Sequence, residues 1–264
     1  MNHKLALAAI AAVVLLSAGT GCSTTAVSSG GGSPASATAA PQTLTVFAAA
    51  SLKGTFSTLG QQFETAHAGT EVTFSFGGSS DLVTQLQQGA PGDVFASADT
   101  TNMSKATADS LVQGAPVDFA SNTLEIAVPP DNPARITSFA DLAADGVQVV
   151  VCAPQVPCGS ATQKVEAAAG VTLKPVSEEN SVTDVLNKVS SGEADAGLVY
   201  TTDVRGAGDK VTGVAFPESS EAVNVYPIAV LAGGKNSDLA QEFVDLVTGP
   251  EGQQVLAGAG FGQP

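Results

Sequence analysis

The sequence predicts an α/β fold made of two units, each a mostly parallel β-sheet covered by helices. From Leu44 onward, short β-type runs alternate with segments whose apolar residues recur at helical spacing. Between residues 44 and 96 the order is strand, helix, strand, helix, strand, which is typical of a parallel sheet with helices on its faces. A second series of the same kind begins at residue 124. Two such units imply a cleft between them, and ligands of open α/β sheets bind beyond the carboxyl ends of the strands.

The first unit is predicted element by element from this alternation. Residues 44–47 form a strand, and residues 51–66 form a helix whose apolar residues share one face. Those apolar residues are Leu52, Phe56, Leu59 and Phe63. A strand at 71–76, a helix at 79–89 and a strand at 93–96 complete the unit.

The second unit follows from the same patterns. The predicted strands are 124–128, 147–151 and the buried run 196–200, and the predicted helices between them are 160–169 and 181–191. A further strand at 223–231 precedes helices at 237–248 and 250–257. Gly249 and Pro250 separate these last two helices, and proline suits the first turn of the second one.

Composition and charge argue against several classes of function. The chain has 264 residues, with 10 Lys and Arg against 25 Asp and Glu, which gives a formal net charge of −15. Broad nucleic-acid binding needs a basic surface, which this acidic chain lacks. Two His residues and no Cys-x-x-Cys motif offer no ligand cluster for zinc or haem. A single short apolar run is too little for a multi-span membrane protein.

The N-terminal segment has the features of an export signal. Lys4 followed by an apolar run over residues 5–18 is typical of a signal peptide. The small residues before Cys22 resemble a bacterial lipobox, which predicts a signal peptide over residues 1–21 and lipidation of Cys22. An ordinary signal peptide with an incidental cysteine is the alternative. The rest of residues 22–42 carries no charge and no apolar periodicity, so a flexible tether would hold the domain at the extracytoplasmic face of the cell membrane.

The two other cysteines lie close together in the sequence. Cys152 and Cys158 are the remaining candidates for pairing once Cys22 is acylated. In an exported protein, two cysteines at this spacing favour a disulfide that closes a small loop. Two free buried thiols are the alternative.

Four predicted junctions between a strand and the next helix share one chemistry. They span residues 48–51, 77–80, 156–159 and 180–182, and all are small, neutral and rich in free backbone N–H groups. Helix starts carry unpaired N–H donors and a partial positive charge, so several converging starts would form an anion site. A serine at one helix start is usually only a cap, and the prediction therefore rests on the set of four.

The same junctions carry a resemblance to a known family. The stretches are TVFAAASL at 45–52, FGGSSDL at 76–82, GAPGDVFASAD at 89–99, VPCG at 156–159 and GLVYTTD at 197–203. In this order they resemble the periplasmic molybdate-binding proteins of ABC importers, and the resemblance covers residues 43–262. It implies a two-lobed type II periplasmic-binding-protein fold with the ligand in the cleft between the lobes. Lobe I would comprise residues 43–121 with 223–264, and lobe II residues 122–222.

The resemblance also implies a set of ligand-binding groups. Ser51 and Ser79 would hold the oxyanion through side chain and backbone N–H, Cys158 and Val182 through backbone N–H, and Tyr200 through its hydroxyl. The metal would be bound as part of molybdate or tungstate and not as a bare ion.

Two residues near these groups depart from the expected chemistry. A smaller residue such as alanine is usual in the family where Cys158 stands, although binding by the main chain tolerates a cysteine there. Asp81 suits a helix N-terminus, but its carboxylate would oppose the anion if it faced the cleft.

The function implied is that of a substrate-binding lipoprotein of an ABC importer. It would act as a monomer, need no cofactor, and deliver the oxyanion to the membrane permease subunits. The same role for sulfate or another small oxyanion is the alternative. An enzyme is not expected, because His67 has no Gly-x-Ser-x-Gly elbow to pair with, and a ferric-ion binder is not expected, because Tyr200 and Tyr226 are not adjacent. A ligand-free adhesion or scaffold lipoprotein is the remaining class.

Overall fold

The computed structural model describes residues 42–264. The predicted signal peptide, the lipidation of Cys22 and residues 22–41 of the predicted tether lie outside the described residues. Gln42, the last residue of the predicted tether, instead begins the first strand. Within the described part, no helix is long and apolar enough to cross a membrane.

The described residues form ten strands and eight α-helices, in an order that alternates as predicted. The strands are β1 (Gln42–Ala49), β2 (Thr70–Gly77), β3 (Val94–Ala96), β4 (Val112–Asn122), β5 (Leu124–Val128), β6 (Val149–Cys152), β7 (Ser177–Glu179), β8 (Ala196–Tyr200), β9 (Thr212–Val214) and β10 (Asn224–Leu231). The helices are α1 (Lys53–Ala66), α2 (Ser79–Gln87), α3 (Thr100–Ala108), α4 (Pro157–Ala169), α5 (Val182–Ser190), α6 (Thr201–Ala207), α7 (Ser237–Thr248) and α8 (Pro250–Ala259). Short 3₁₀ turns cover Ala50–Leu52, Ala140–Ala143, Gly208–Lys210 and Pro217–Ala222.

The strands form two five-stranded sheets, one in each lobe. The first has the order β2-β1-β3-β10-β4 and the second β7-β6-β8-β5-β9. In the first sheet β10 pairs antiparallel with both neighbours, while β1 pairs parallel with β2 and β3. In the second sheet β5 is the strand that runs against the others. Four of the five strands in each sheet therefore point the same way, which confirms the predicted mostly parallel sheets.

The core of the first lobe fixes the helix that follows β1. The four apolar residues that predicted this helix are at most 1% exposed. Phe56 lies among other aromatic rings, with its centroid 5.9 Å from those of both Phe119 in β4 and Phe243 in α7. Burying each such side chain stabilises the fold by about 1.5–3 kcal/mol, so α1 is anchored firmly against the sheet.

The starts of two helices differ from the sequence prediction. A 3₁₀ turn starts at Ala50 and leads into α1, so Ser51 already lies in helical backbone. Helix α4 begins at Pro157, three residues before the predicted start, because proline needs no N–H partner in a first turn. Cys158 is therefore the second residue of α4.

The sequence patterns do not predict several of the elements, of which β4 is the longest. It contains Gly114, with φ of +76°, and Pro116, both of which disfavour a regular strand. The strand forms at the edge of its sheet, where β10 pairs with it on one side and the register shifts twice. Helix α3 was missed because few of its residues are apolar; it is instead held at its start by Asp99, which accepts from the Asn102 N–H at 2.8 Å.

A disulfide joins the end of β6 to the first turn of α4. Cys152 and Cys158 are bridged, with their Cα atoms 5.6 Å apart and a sequence separation of 6. The loop between them is tight, because a Cβ on Gly159 would lie 2.0 Å from the carbonyl oxygen of Ala153. The bridge and the glycine together set the direction in which α4 leaves the sheet.

Replacing both cysteines of this bridge with serine is expected to lower the free energy of unfolding by about 2 kcal/mol, because the bridge restricts the unfolded chain. Urea unfolding of the oxidised wild type and of the double variant measures the difference. Wild-type protein treated with a reductant is the control and should resemble the variant. Equal stability of all three samples would contradict a disulfide at this position.

Candidate functional site

A small cavity of about 10 Å³ lies between the lobes, at the carboxyl ends of strands from both sheets. Residues of all four predicted junctions line it or adjoin it, and each of the five predicted ligand residues is among the lining. The lining residues are Ala49, Ala50, Ser51, Gly77, Gly78, Ser79, Ala98, Val156, Pro157, Cys158, Val182 and Tyr200. A cavity of this size suits a compact ion of a few atoms rather than a sugar or a peptide.

Helix starts from both lobes face this cavity. Ser51 lies in the 3₁₀ turn before α1, while Ser79 and Val182 are the first residues of α2 and α5. Cys158 is the second residue of α4, and Tyr200 ends β8. The first N–H groups of a helix have no acceptor within the helix, so they can bind an anion.

The two lining serines are not helix caps. Ala49 and Gly78 occupy the N-cap positions before them, and neither position has a side-chain cap bond. Ser181 is a true cap, since its Oγ accepts from the Asp184 N–H at 3.3 Å. The ordinary explanation for a serine at a helix start therefore applies to Ser181 but not to Ser51 or Ser79.

Hydrogen bonds behind the cavity leave hydroxyl hydrogens available to it. The Oγ of Ser79 accepts from the Ala98 N–H at 3.0 Å, so its own hydrogen is free to be donated. The Tyr200 hydroxyl accepts from Asn224 Nδ2 at 3.0 Å, and the same amide donates to the Ala98 carbonyl at 2.8 Å. Asn224 thereby orients Tyr200 as a donor.

Tyr226 supports the site from the first lobe. Its hydroxyl lies 3.0 Å from the Oγ of Ser51, and its ring packs edge-on against Tyr200 with centroids 6.0 Å apart. Burial raises the pKa of both tyrosines above the ordinary value, so both hydroxyls keep their proton at neutral pH. Tyr226 does not line the cavity itself but contacts a serine that does.

No charged side chain lines the cavity. Asp81 is exposed and does not border it, and Lys53 does not border it either. Among the described residues, no group of three or more His, Cys, Asp or Glu is placed to hold a metal ion. Behind the lining Tyr200, Asp203 accepts from the Tyr200 N–H at 3.0 Å; burial raises the pKa of this carboxyl to about 7. The cavity is thus a set of uncharged donors.

Sequence reasoning missed the residues that position these donors. Asn224 heads the apolar strand β10 and is buried, and a buried amide at the start of such a strand was the available signal. Gly78 faces Asn180 across the cleft: a Cβ on Gly78 would lie 2.0 Å from the Asn180 carbonyl oxygen. Contacts of this kind between distant segments have no periodic pattern in the sequence.

Comparisons with known proteins agree with this architecture. The family model described as bacterial extracellular solute-binding protein matches residues 44–262. A relative from Mycobacterium tuberculosis, named molybdate-binding protein ModA, is 51% identical over 90% of this chain and 93% of its own length. The solved periplasmic molybdate-binding protein of Azotobacter vinelandii is 24% identical, with a TM-score of 0.73 over 84% of this chain and 99% of its own.

A third comparison shows that the fold is shared by proteins with different ligands. The sulfate-binding protein SubI from Mycobacterium tuberculosis is 20% identical, with a TM-score of 0.70 over 83% of this chain and 86% of its own. Likeness at this level of identity establishes the two-lobed fold and leaves the ligand to the chemistry of the cavity. The match over nearly all of the described residues shows that the chain belongs to the family of bacterial extracellular solute-binding proteins.

Proposed function

We propose that the chain binds molybdate, and tungstate with similar strength, and presents it to the membrane subunits of an ABC importer. The observation that carries the proposal is the cavity of uncharged donors drawn from helix starts of both lobes. The relative that is 51% identical and named a molybdate-binding protein supports the choice of ligand. The protein acts by binding and release, with no chemical step on the ligand.

A pocket that offers hydrogen-bond donors and no acceptors favours an ion that carries no proton. Molybdate and tungstate are tetrahedral dianions at neutral pH, and each offers four acceptor oxygens. Phosphate near pH 7 keeps at least one proton, which would be left without an acceptor in a buried site, at a cost of about 1–3 kcal/mol. Sulfate carries no proton but is smaller, so a rigid pocket sized for the larger ion makes fewer good contacts with it.

Five residues supply the proposed contacts to the ligand oxygens. Ser51 and Ser79 donate through hydroxyl and backbone N–H, Cys158 and Val182 through backbone N–H, and Tyr200 through its hydroxyl. The positions of these groups at helix starts and at the strand end support this assignment. Hydrogen bonds to a charged ligand contribute about 1.5–3 kcal/mol each, which offsets the absence of a cation.

Closure of two lobes around the ion is the proposed movement. Lobe I comprises residues 43–121 with 223–264, and lobe II residues 122–222. This division is supported by the chain path, which leaves the first sheet after β4 and returns to it at β10. Near the first crossing, Asn122 Nδ2 donates to Thr202 Oγ1 at 2.7 Å, and the Thr201 N–H donates to the Thr123 carbonyl at 3.0 Å.

The cellular context is proposed from the N-terminal sequence. Cleavage before Cys22, lipidation of that cysteine and the tether would hold a monomeric domain at the extracytoplasmic face of the cell membrane. Membership of an extracellular solute-binding family supports that location, and the Cys152–Cys158 bridge suits an oxidising compartment.

Isothermal calorimetry with four oxyanions tests the proposed function. We expect one site per chain for molybdate and tungstate, with similar affinity, and much weaker binding of sulfate and phosphate. Phosphate binding equal to or tighter than molybdate binding would contradict selection by donors alone. Tighter binding of sulfate would instead support the sulfate alternative, which the shared fold of SubI allows.

Ser79→Ala is expected to weaken molybdate binding by about 1–3 kcal/mol, because it removes a hydroxyl donor. Ser80→Ala is the matched control: its buried hydroxyl has no hydrogen-bond partner among the described residues and does not line the cavity. Calorimetry on both variants gives the comparison. An unchanged affinity for the Ser79 variant would remove this residue from the site.

Gly78→Ala is expected to weaken molybdate binding by a further route, since the added Cβ would meet the Asn180 carbonyl when the lobes close. Overpacking of this kind costs about 1–3 kcal/mol. Gly78 has φ of −63° and ψ of 136°, which alanine adopts readily, so the ligand-free protein should keep its melting temperature. Gly54→Ala, where nothing lies within 4 Å of the added Cβ, is the control. Wild-type affinity in the Gly78 variant would exclude this contact from closure.

A further inference from the structure

A groove of about 810 Å³ between the lobes begins beside the cavity. Ala50 and Ser51 line both the groove and the cavity, so the groove adjoins the proposed ligand site. Its walls come from α1 and α8 in the first lobe and from α5 and α6 in the second. The groove is therefore open to solvent at a point where both lobes meet.

The charges in this groove are opposite in sign to the protein as a whole. Lys53, Arg205 and Lys210 line it, and Asp203 is the one acid in its lining. The described residues hold nine Lys and Arg in all, since Lys4 of the ten lies outside them. A third of these cations thus gather in one groove of a chain whose net charge is −15.

The three cations are not neutralised by ion pairs. Among residues 42–264, the salt bridges within 4.0 Å involve His67 with Glu242 and Lys188 with Glu179, and none involves the groove. All three groove cations are exposed. Burial raises the pKa of the Asp203 carboxyl to about 7, so a large share of the molecules carry it neutral at pH 7. The groove therefore keeps a net positive charge.

Arg205 extends from the second lobe toward the first. Its Nη1 would lie 2.8 Å from a Cβ on Gly260, the left-handed residue that follows α8, so the guanidinium reaches the first lobe. No side chain at residue 260 obstructs it. Gly260 is not in the lining of the groove but in that of a neighbouring pocket, which also contains Glu125, so Arg205 stands at the border between the two.

We propose that Lys53, Arg205 and Lys210 form an electrostatic entry for the oxyanion, which raises its rate of association without contacting it once it is bound. The inference rests on the proposed function, because it requires an anionic ligand. Clefts lined by one sign of charge focus the field and speed the arrival of an oppositely charged ligand. At physiological salt the Debye length is about 8 Å, so distant carboxylates are screened while charges in the groove act on an ion that enters it. None of the three cations lines the cavity itself.

Stopped-flow tyrosine fluorescence with molybdate as the probe tests this proposal. The chain has no Trp and two Tyr, both of which lie at the site, so the protein's own emission reports on binding. The variant is K53Q/R205Q/K210Q in the full chain. The matched control is K164Q/K174Q/K235Q, which removes the same charge from exposed lysines outside the groove. Association and dissociation rates are measured at ionic strengths of about 0.01 M and 1 M, where the Debye length is about 30 Å and 3 Å.

At the lower ionic strength we expect the groove variant to associate on the order of tenfold more slowly than the control variant. The two rates should converge at the higher ionic strength, and the dissociation rates should match throughout. Equal association rates at both salts would overturn the proposal. A slower association or faster dissociation that persists at high salt would also overturn it, because it would indicate direct contact with the ligand or a structural change. If the wild type itself binds no molybdate, the proposed function fails first, and calorimetry on the wild type alone shows this.

Discussion

An anion can be held inside a protein without a neighbouring cation only where several hydrogen-bond donors lack other partners and point at one place. In the proposed site the donors would be the first N–H groups of helices and three hydroxyls, and the rest of the fold positions them. Parallel strands bring the helix starts to the same edge of each sheet. The buried aromatic rings around Phe56 and the Cys152–Cys158 bridge then fix two of the helices that follow.

The polar residues behind the cavity matter as much as those that line it. The side-chain amide of Asn224 donates one hydrogen to the Ala98 carbonyl and the other to the Tyr200 hydroxyl. The Ala98 N–H in turn donates to the Oγ of Ser79. This chain of bonds links the two lobes and determines which way the hydroxyls face. A hydroxyl can donate or accept, so a pocket of donors requires that the acceptor role be taken up from behind.

The sequence was sufficient where a pattern is local. Apolar spacing in residues 51–66 predicted α1, and the small residues between strands and helices predicted the lining of the cavity. It was insufficient where function depends on contacts between remote segments. Asn224 and Ala98 are 126 residues apart, and Gly78 meets Asn180 only after both lobes have formed. Strand β4 is a third case. Gly114 and Pro116 disfavour a strand in the local sequence, and the strand forms because it pairs with β10.

The glycine, the proline and the register shifts of β4 also make its outer edge a poor partner for another strand. An edge strand presents unpaired N–H and carbonyl groups to which another chain can add. With a left-handed glycine, a proline that has no N–H and two shifts in register, β4 offers no long, flat edge for such pairing. Neighbouring copies can therefore meet along this side without joining into a continuous sheet, which protects against aggregation.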